Sequence, residues 1–165
     1  MTDEKGVSAI EFALVFPVLL LLLLGSFDIG RAILVDQKLI VSSQVVADLV
    51  ARVDSLDDDM LNEAVRAGEL VIEPYDLNNF SLAIISAEFD DSDSPQLVWS
   101  EVQGMQDVPD VLDRANGLGT VGEGVVIVVV RYNFEPSFSV FSVDGFEMQE
   151  VAFARGRRVP VVQRG

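Results

Sequence analysis

Residues 6–31 read GVSAIEFALVFPVLLLLLLGSFDIGR, and the fold follows from what this stretch has to become. Between Val7 and Phe27 the only charge is Glu11, and Leu19 to Leu24 is an unbroken leucine run. At about 1.5 Å per residue a segment of this length covers roughly 31 Å, the thickness of a bilayer's hydrocarbon core. The segment therefore reads as a membrane-spanning helix. A carboxylate inside such a helix is costly to desolvate, so Glu11 calls for a partner and a purpose. Pro17 removes one backbone hydrogen bond, which leaves two readings open: a proline that a membrane helix simply tolerates, or a hinge.

Beyond Asp28, apolar residues keep helical spacing at Ile29, Ile33, Ile40, Val41, Val45 and Leu49, with Asp36, Lys38, Gln44 and Asp48 largely between them. This predicts an amphipathic helix that continues the membrane helix to about Val53. An ordinary cleaved signal peptide fits poorly, because no A-x-A-like site follows Leu24 and cleavage there would sever a continuous helical pattern.

The aspartates from Asp54 to Asp59 open the next element, with Asp57 or Asp58 capping a short helix over about Asp59–Ala67 and Gly68 stopping it. Strands are expected at Phe80–Phe89 and Leu97–Val102, and a helical turn at Pro109–Ala115. Val125 to Val130 is six consecutive β-branched residues, the pattern of a central strand covered on both faces, and it extends to Phe134 before Pro136 stops it. A last strand over about Phe146–Arg157 changes phase between Met148 and Val151, which a bulge near Gln149 would reconcile. The fold class is α+β: a long N-terminal transmembrane and amphipathic helix packed on a small antiparallel sheet.

Composition excludes several functions. The net charge of -16 repels nucleic acid, so no nucleic-acid partner is expected. The chain has no cysteine and no histidine, which removes disulfides, the commonest general base and a common metal ligand. There is no Ser-His or Cys-His set and no G-x-S-x-G elbow, so no catalytic residue, cofactor or metal is expected. Gly117, Gly119 and Gly122 form a nominal G-x-G-x-x-G, but a strand follows it where a dinucleotide site needs a helix, so it reads as a loop. Asp90, Asp91 and Asp93 lack the glycine and glutamate offsets of a calcium loop and read as a solvated acidic turn. Arg155, Arg157, Arg158 and Arg164 gather near the C-terminus, either as a charged edge that resists aggregation or as a contact for an acidic neighbour.

The N-terminus resembles the class III signal sequences cut by prepilin peptidases, in which a short charged leader ends in glycine and glutamate stands fifth in the mature chain. Lys5-Gly6 precedes Val7 here, Glu11 is fifth from Val7, and Phe12 follows it. More closely, Gly6 to Arg31 is similar to the opening of TadE-like minor pseudopilins of the tight-adherence (Flp/Tad) pilus, through Ala9, Glu11, Phe12, Ala13, Leu14, Pro17, Gly30 and Arg31. A weaker likeness lies in Val125 to Pro136, a valine-rich strand followed by aromatic-x-aromatic and proline. The D-x-S-x-S metal site of the family's longer, von Willebrand A-bearing relative is missing, which points to a TadE- or TadF-like subunit.

The resemblance implies a leader over residues 1–6, a transmembrane helix over 7–28, its amphipathic continuation over 29–54 and a periplasmic α+β domain over 55–165. It implies processing at Gly6 and Val7, with Glu11, Phe12 and Pro17 serving recognition and assembly. The partners it implies are a prepilin peptidase, other pilins or pseudopilins, the inner-membrane assembly platform and membrane lipid. Cleavage after Gly6 would free the amine of Val7, and the Glu11 carboxylate of a neighbouring subunit would pair with it, selecting one docking register. The rival reading is a membrane-anchored periplasmic binding or sensing domain that uses the helix only as an anchor.

Overall fold

A computed structural model of the protein describes residues 4–105, 111–138 and 144–165, with side chains from Val7 onward. The expected leader residues Met1–Asp3 lie outside it, as does the first part of the expected turn at Pro109–Ala115. A single helix, α1 (Glu4–Val50), runs through Pro17 without ending there. After β1 (Ser55–Leu56) comes α2 (Asp58–Ile72), followed by β2 (Phe80–Phe89), β3 (Pro95–Gln103), β4 (Gly124–Phe134), β5 (Phe146–Arg155) and β6 (Gln163–Arg164). The four long strands form one antiparallel sheet in the order β3-β2-β4-β5. The fold is α+β, as the sequence predicts.

The valine-rich strand β4 lies inside the sheet with both faces covered. Val126, Val128, Val130, Tyr132 and Phe134 turn toward the helices, where they meet Val35, Leu39, Val46 and Val50 of α1. Val125, Ile127 and Val129 turn to the opposite face and pack with Ala83, Ile85, Phe89, Val111 and Ala115. Period-two alternation thus serves two cores at once, which is why the strand shows no polar face. A short parallel pairing of β1 with β6 brings the C-terminus back beside the end of α1. There the Val162 carbonyl accepts from the Ser86 hydroxyl at 2.9 Å and from the Trp99 indole at 2.8 Å.

Three local expectations are corrected. Gly68 does not stop α2; it lies within the helix, buried against α1. A Cβ there would come within 2.8 Å of Val46 Cγ2, and the Gly68 carbonyl accepts from the buried Ser42 hydroxyl at 3.0 Å. Glycine is used for close helix approach, and packing outweighs its poor helix propensity. Asp57 is the N-cap, accepting from the Met60 amide at 2.8 Å, while the other end of α2 is met by Lys38, whose ammonium donates to the Val71 and Glu73 carbonyls.

The expected bulge near Gln149 is absent, because β5 pairs with β4 in unbroken register from Val125↔Arg155 to Phe134↔Phe146. The apolar residues of both phases are used: Met148, Ala152 and Ala154 face the helices, and Val151 faces the second core. The sheet's register shift lies elsewhere, between Ser86 and Ala87 of β2 against β3.

The third correction concerns the packed face of α1. The stripe picked out by spacing is largely exposed, with Ile29 at 61%, Ile33 at 53% and Val41 at 48%. The domain is held by Val35, Leu39, Ser42, Ser43, Val46, Ala47 and Val50 on another face. Small residues at Ser42, Ser43 and Ala47 let α2 and the sheet approach closely, so this face carries less hydrophobic signal than the one left bare.

Candidate assembly site

The N-terminal half of α1 stands clear of the domain. Its apolar stretch is long enough to cross a membrane, and none of the most apolar window is buried against the rest of the chain. Val7 and Phe12 are exposed, and Phe12 packs only one turn along the helix, its ring 5.4 Å from that of Phe16. Glu11 is exposed and makes no ion pair among the described residues. It lies one turn beyond Val7, so the two positions share a helix face. The structure brings Val7, Glu11, Phe12 and Pro17 onto one bare helix, and among the described residues no other element reaches them.

The bare surface continues past this apolar stretch. Ile29, Gly30, Ile33, Leu34, Gln37, Ile40, Val41 and Gln44 form an uncharged exposed strip along the domain-bearing half of α1. A soluble helix normally turns its charges to this side. Here the helix has two apolar faces, one taken by the domain and one left uncovered.

Where the two halves meet, a clamp joins α1 to the segment after β4. Asp28 is only 9% exposed. Its two carboxylate oxygens accept from the backbone amides of Ser137 at 2.8 Å and Phe138 at 3.0 Å. Arg31, one turn on, lies 4.0 Å from the same carboxylate, donates to the Ser137 hydroxyl and sits 5.6 Å from the centre of the Phe134 ring. Phe27 completes the contact edge-on against Phe138, with centroids 5.7 Å apart. Arg31 of the first likeness and Phe134 of the second, which the sequence presents separately, thus meet at one joint, completed by Ser137 and Phe138 just beyond Pro136. Asp28 was not singled out from the sequence. Its signal was its phase, seven residues before Val35 and eleven before Leu39, which sets it on the packed face of α1.

A second carboxylate contact lies farther out. Glu150 of β5 stands on the helix-facing side, and burial, followed by the Asp36 carboxylate of α1, raises its pKa above the ordinary 4.5. The folded state therefore holds this proton to higher pH than the unfolded chain does. The associated stability is complete below the unfolded value and is lost as pH rises through the folded one. Glu150→Gln is accordingly expected to be more stable than the parent chain near pH 7, with the difference closing as acid protonates Glu150. Thermal unfolding at a series of pH values checks this, and equal curves at neutral pH would refute it.

The remaining polar clusters serve the fold. Asp90 accepts from the Ser92 and Ser94 amides, which hold its pKa below the usual 3.8, and from Gln96. Among the described residues no three His, Cys, Asp or Glu side chains converge as a metal site. The glycine-rich run is a loop leading into β4, with Gly117 and Gly122 at positive φ and Gly119 pressed on the Phe89 ring. Among the described residues Arg155 pairs with Glu123, Arg157 with Asp48, and Arg164 with Glu101 and Asp58.

Residues 6–48 match the family model described as TadE-like protein. The matched stretch lies wholly on α1, and over it the chain is similar to TadE-like proteins. No curated protein and no solved structure matches the chain.

Proposed function

We propose that the protein is a non-enzymatic minor pseudopilin, an assembly subunit of a Tad-type pilus or a related secretion system. The observation that carries this reading is the coincidence of the TadE-like match with a helix whose Glu11 face is bare and whose outer half is clamped to a domain. A helix built to be covered by neighbouring subunits would leave an exposed surface whose one charge between Val7 and Phe27 is Glu11, followed by an uncharged strip from Ile29 to Gln44, as α1 does. In this reading the precursor enters the inner membrane once, with its N-terminus cytoplasmic and its domain periplasmic. A prepilin peptidase cuts between Gly6 and Val7, and the mature subunit then joins other pilins on the assembly platform.

Two measurements test it. Intact-mass analysis of membranes containing the matching peptidase should find a chain beginning at Val7. A chain that keeps Met1 to Gly6 under those conditions would favour a plain anchor carrying a binding or sensing domain. Because Gly6→Ala leaves the site small, a bulkier residue at Gly6 is the variant expected to block cleavage. For topology, a phosphatase fused after Arg164 should be active, and a reporter that works only in the cytoplasm should be silent there. The reverse pattern would invert the proposed orientation.

A further inference from the structure

We propose that Phe138, carried on the segment after β4, is a second contact with the bilayer, entering the lipid interface beside Phe27. This rests on the reading of α1 as membrane-spanning and adds to it a membrane-facing end of the domain. Phe27 is the last residue of the uncharged run, so it marks the level at which the helix leaves the hydrocarbon. Phe138 packs edge-on against it, and both rings remain about half exposed, at 55% and 46%. An exposed pair of aromatic rings at the end of a spanning helix is the placement that the headgroup region favours.

The clamp makes the contact affordable in physical terms. Asp28, the first charge after the run, would otherwise oppose lipid at this level. Its carboxylate instead turns into the domain, where it accepts from the Ser137 and Phe138 amides and faces Arg31. The same two hydrogen bonds fix the backbone that carries the Phe138 ring. Neutralising the carboxylate and positioning the ring are thus one arrangement, and Leu23, one turn before Phe27 on the same face, is likewise apolar and exposed. The occupant is lipid because the patch is continuous with the surface of the spanning helix.

Depth-dependent quenching tests this on the full chain in phosphatidylcholine vesicles whose acyl chains are brominated near the headgroup. Trp99 is the only tryptophan, so Trp99→Phe provides a silent background for Phe138→Trp and, separately, for Phe27→Trp. Circular dichroism matched to the parent chain confirms each fold. Both introduced indoles are expected to lose most of their emission relative to unbrominated vesicles, while Trp99 in the parent chain keeps its own. Quenching at position 27 but not at 138 would overturn the proposal and leave the spanning helix intact, the ring then facing water or a protein neighbour. Absence of quenching at both positions would overturn the spanning reading and the proposal with it. Quenching of Trp99 as well would mean that the domain lies flat on the membrane, which also refutes a contact confined to Phe138.

Discussion

Glu11→Ala is expected to leave the chain in the membrane and to remove it from the pilus. Insertion should become easier, since a charged side chain at the centre of a spanning helix costs about 3 kcal/mol on insertion scales and less toward its ends. Assembly should fail for the opposite reason. In the proposed fibre the Val7 amine of one subunit meets Glu11 of another in a low-dielectric setting, and removing one partner leaves an uncompensated charge. Breaking such a pair costs about 3–5 kcal/mol, or roughly a hundredfold to a few thousandfold in association. The bare Glu11 of the isolated chain is what this role requires, since a carboxylate already paired at home would have nothing to offer a neighbour. Glu11→Asp keeps the charge on a shorter arm and should fall between the two. The readouts are co-purification with the assembly platform and counts of surface pili. Normal values for Glu11→Ala would reduce Glu11 to an interfacial residue and strengthen the anchor reading.

The parts of this fold that were legible in the sequence are those with one dominant physical cause. The helix over Val7–Phe27 follows from the absence of competing charge, and β4 from six β-branched residues that no helix accommodates well. What misled was surface that is apolar for two reasons. On α1 the larger side chains, Ile29, Ile33 and Val41, lie on the bare face, and small ones at Ser42, Ser43 and Ala47 line the packed face. Spacing alone therefore selects the wrong stripe, because it assumes that only the core demands apolar residues. β5 misled in the same way: as an edge strand between two cores it takes apolar residues in both phases, and its apparent phase change needs no bulge. Gly68 reads as a stop from propensity and becomes a contact only when Val46 stands opposite it.

The site divides along the same line. Gly6, Val7, Glu11, Phe12 and Pro17 could be singled out from the sequence because the roles proposed for them depend on short spacings along one helix. The clamp of Asp28 and Arg31 on Ser137 and Phe138 joins residues more than a hundred positions apart, and no local pattern encodes that pairing. Both signatures could be recognised, but their contact could not.

Asp28→Ala is the substitution that tests whether this joint holds the domain to the helix. It strips the acceptor from two backbone amides and leaves Arg31 without its carboxylate. Hydrogen bonds to a charged group contribute about 1.5–3 kcal/mol each, so a loss of about 2–4 kcal/mol is expected after allowing for partial solvent access. The effect should be local at first. Amide exchange at Ser137 and Phe138 should accelerate by roughly thirtyfold or more, since 1.4 kcal/mol corresponds to a factor of ten, while the interior amides of β4 change far less. Asp28→Asn retains one carbonyl oxygen and loses the charge, so it should keep one amide protected and release the other. Unchanged exchange at both amides in Asp28→Ala would show that the segment after β4 is held by its own strands. If the clamp sets how the domain rides on α1, Asp28→Ala should also lower pilus incorporation while leaving cleavage at Gly6 unaffected. That pattern separates it from Glu11→Ala, whose amide exchange should match the parent chain, because in the proposed assembly Glu11 acts between subunits, whereas the Asp28 clamp lies within one.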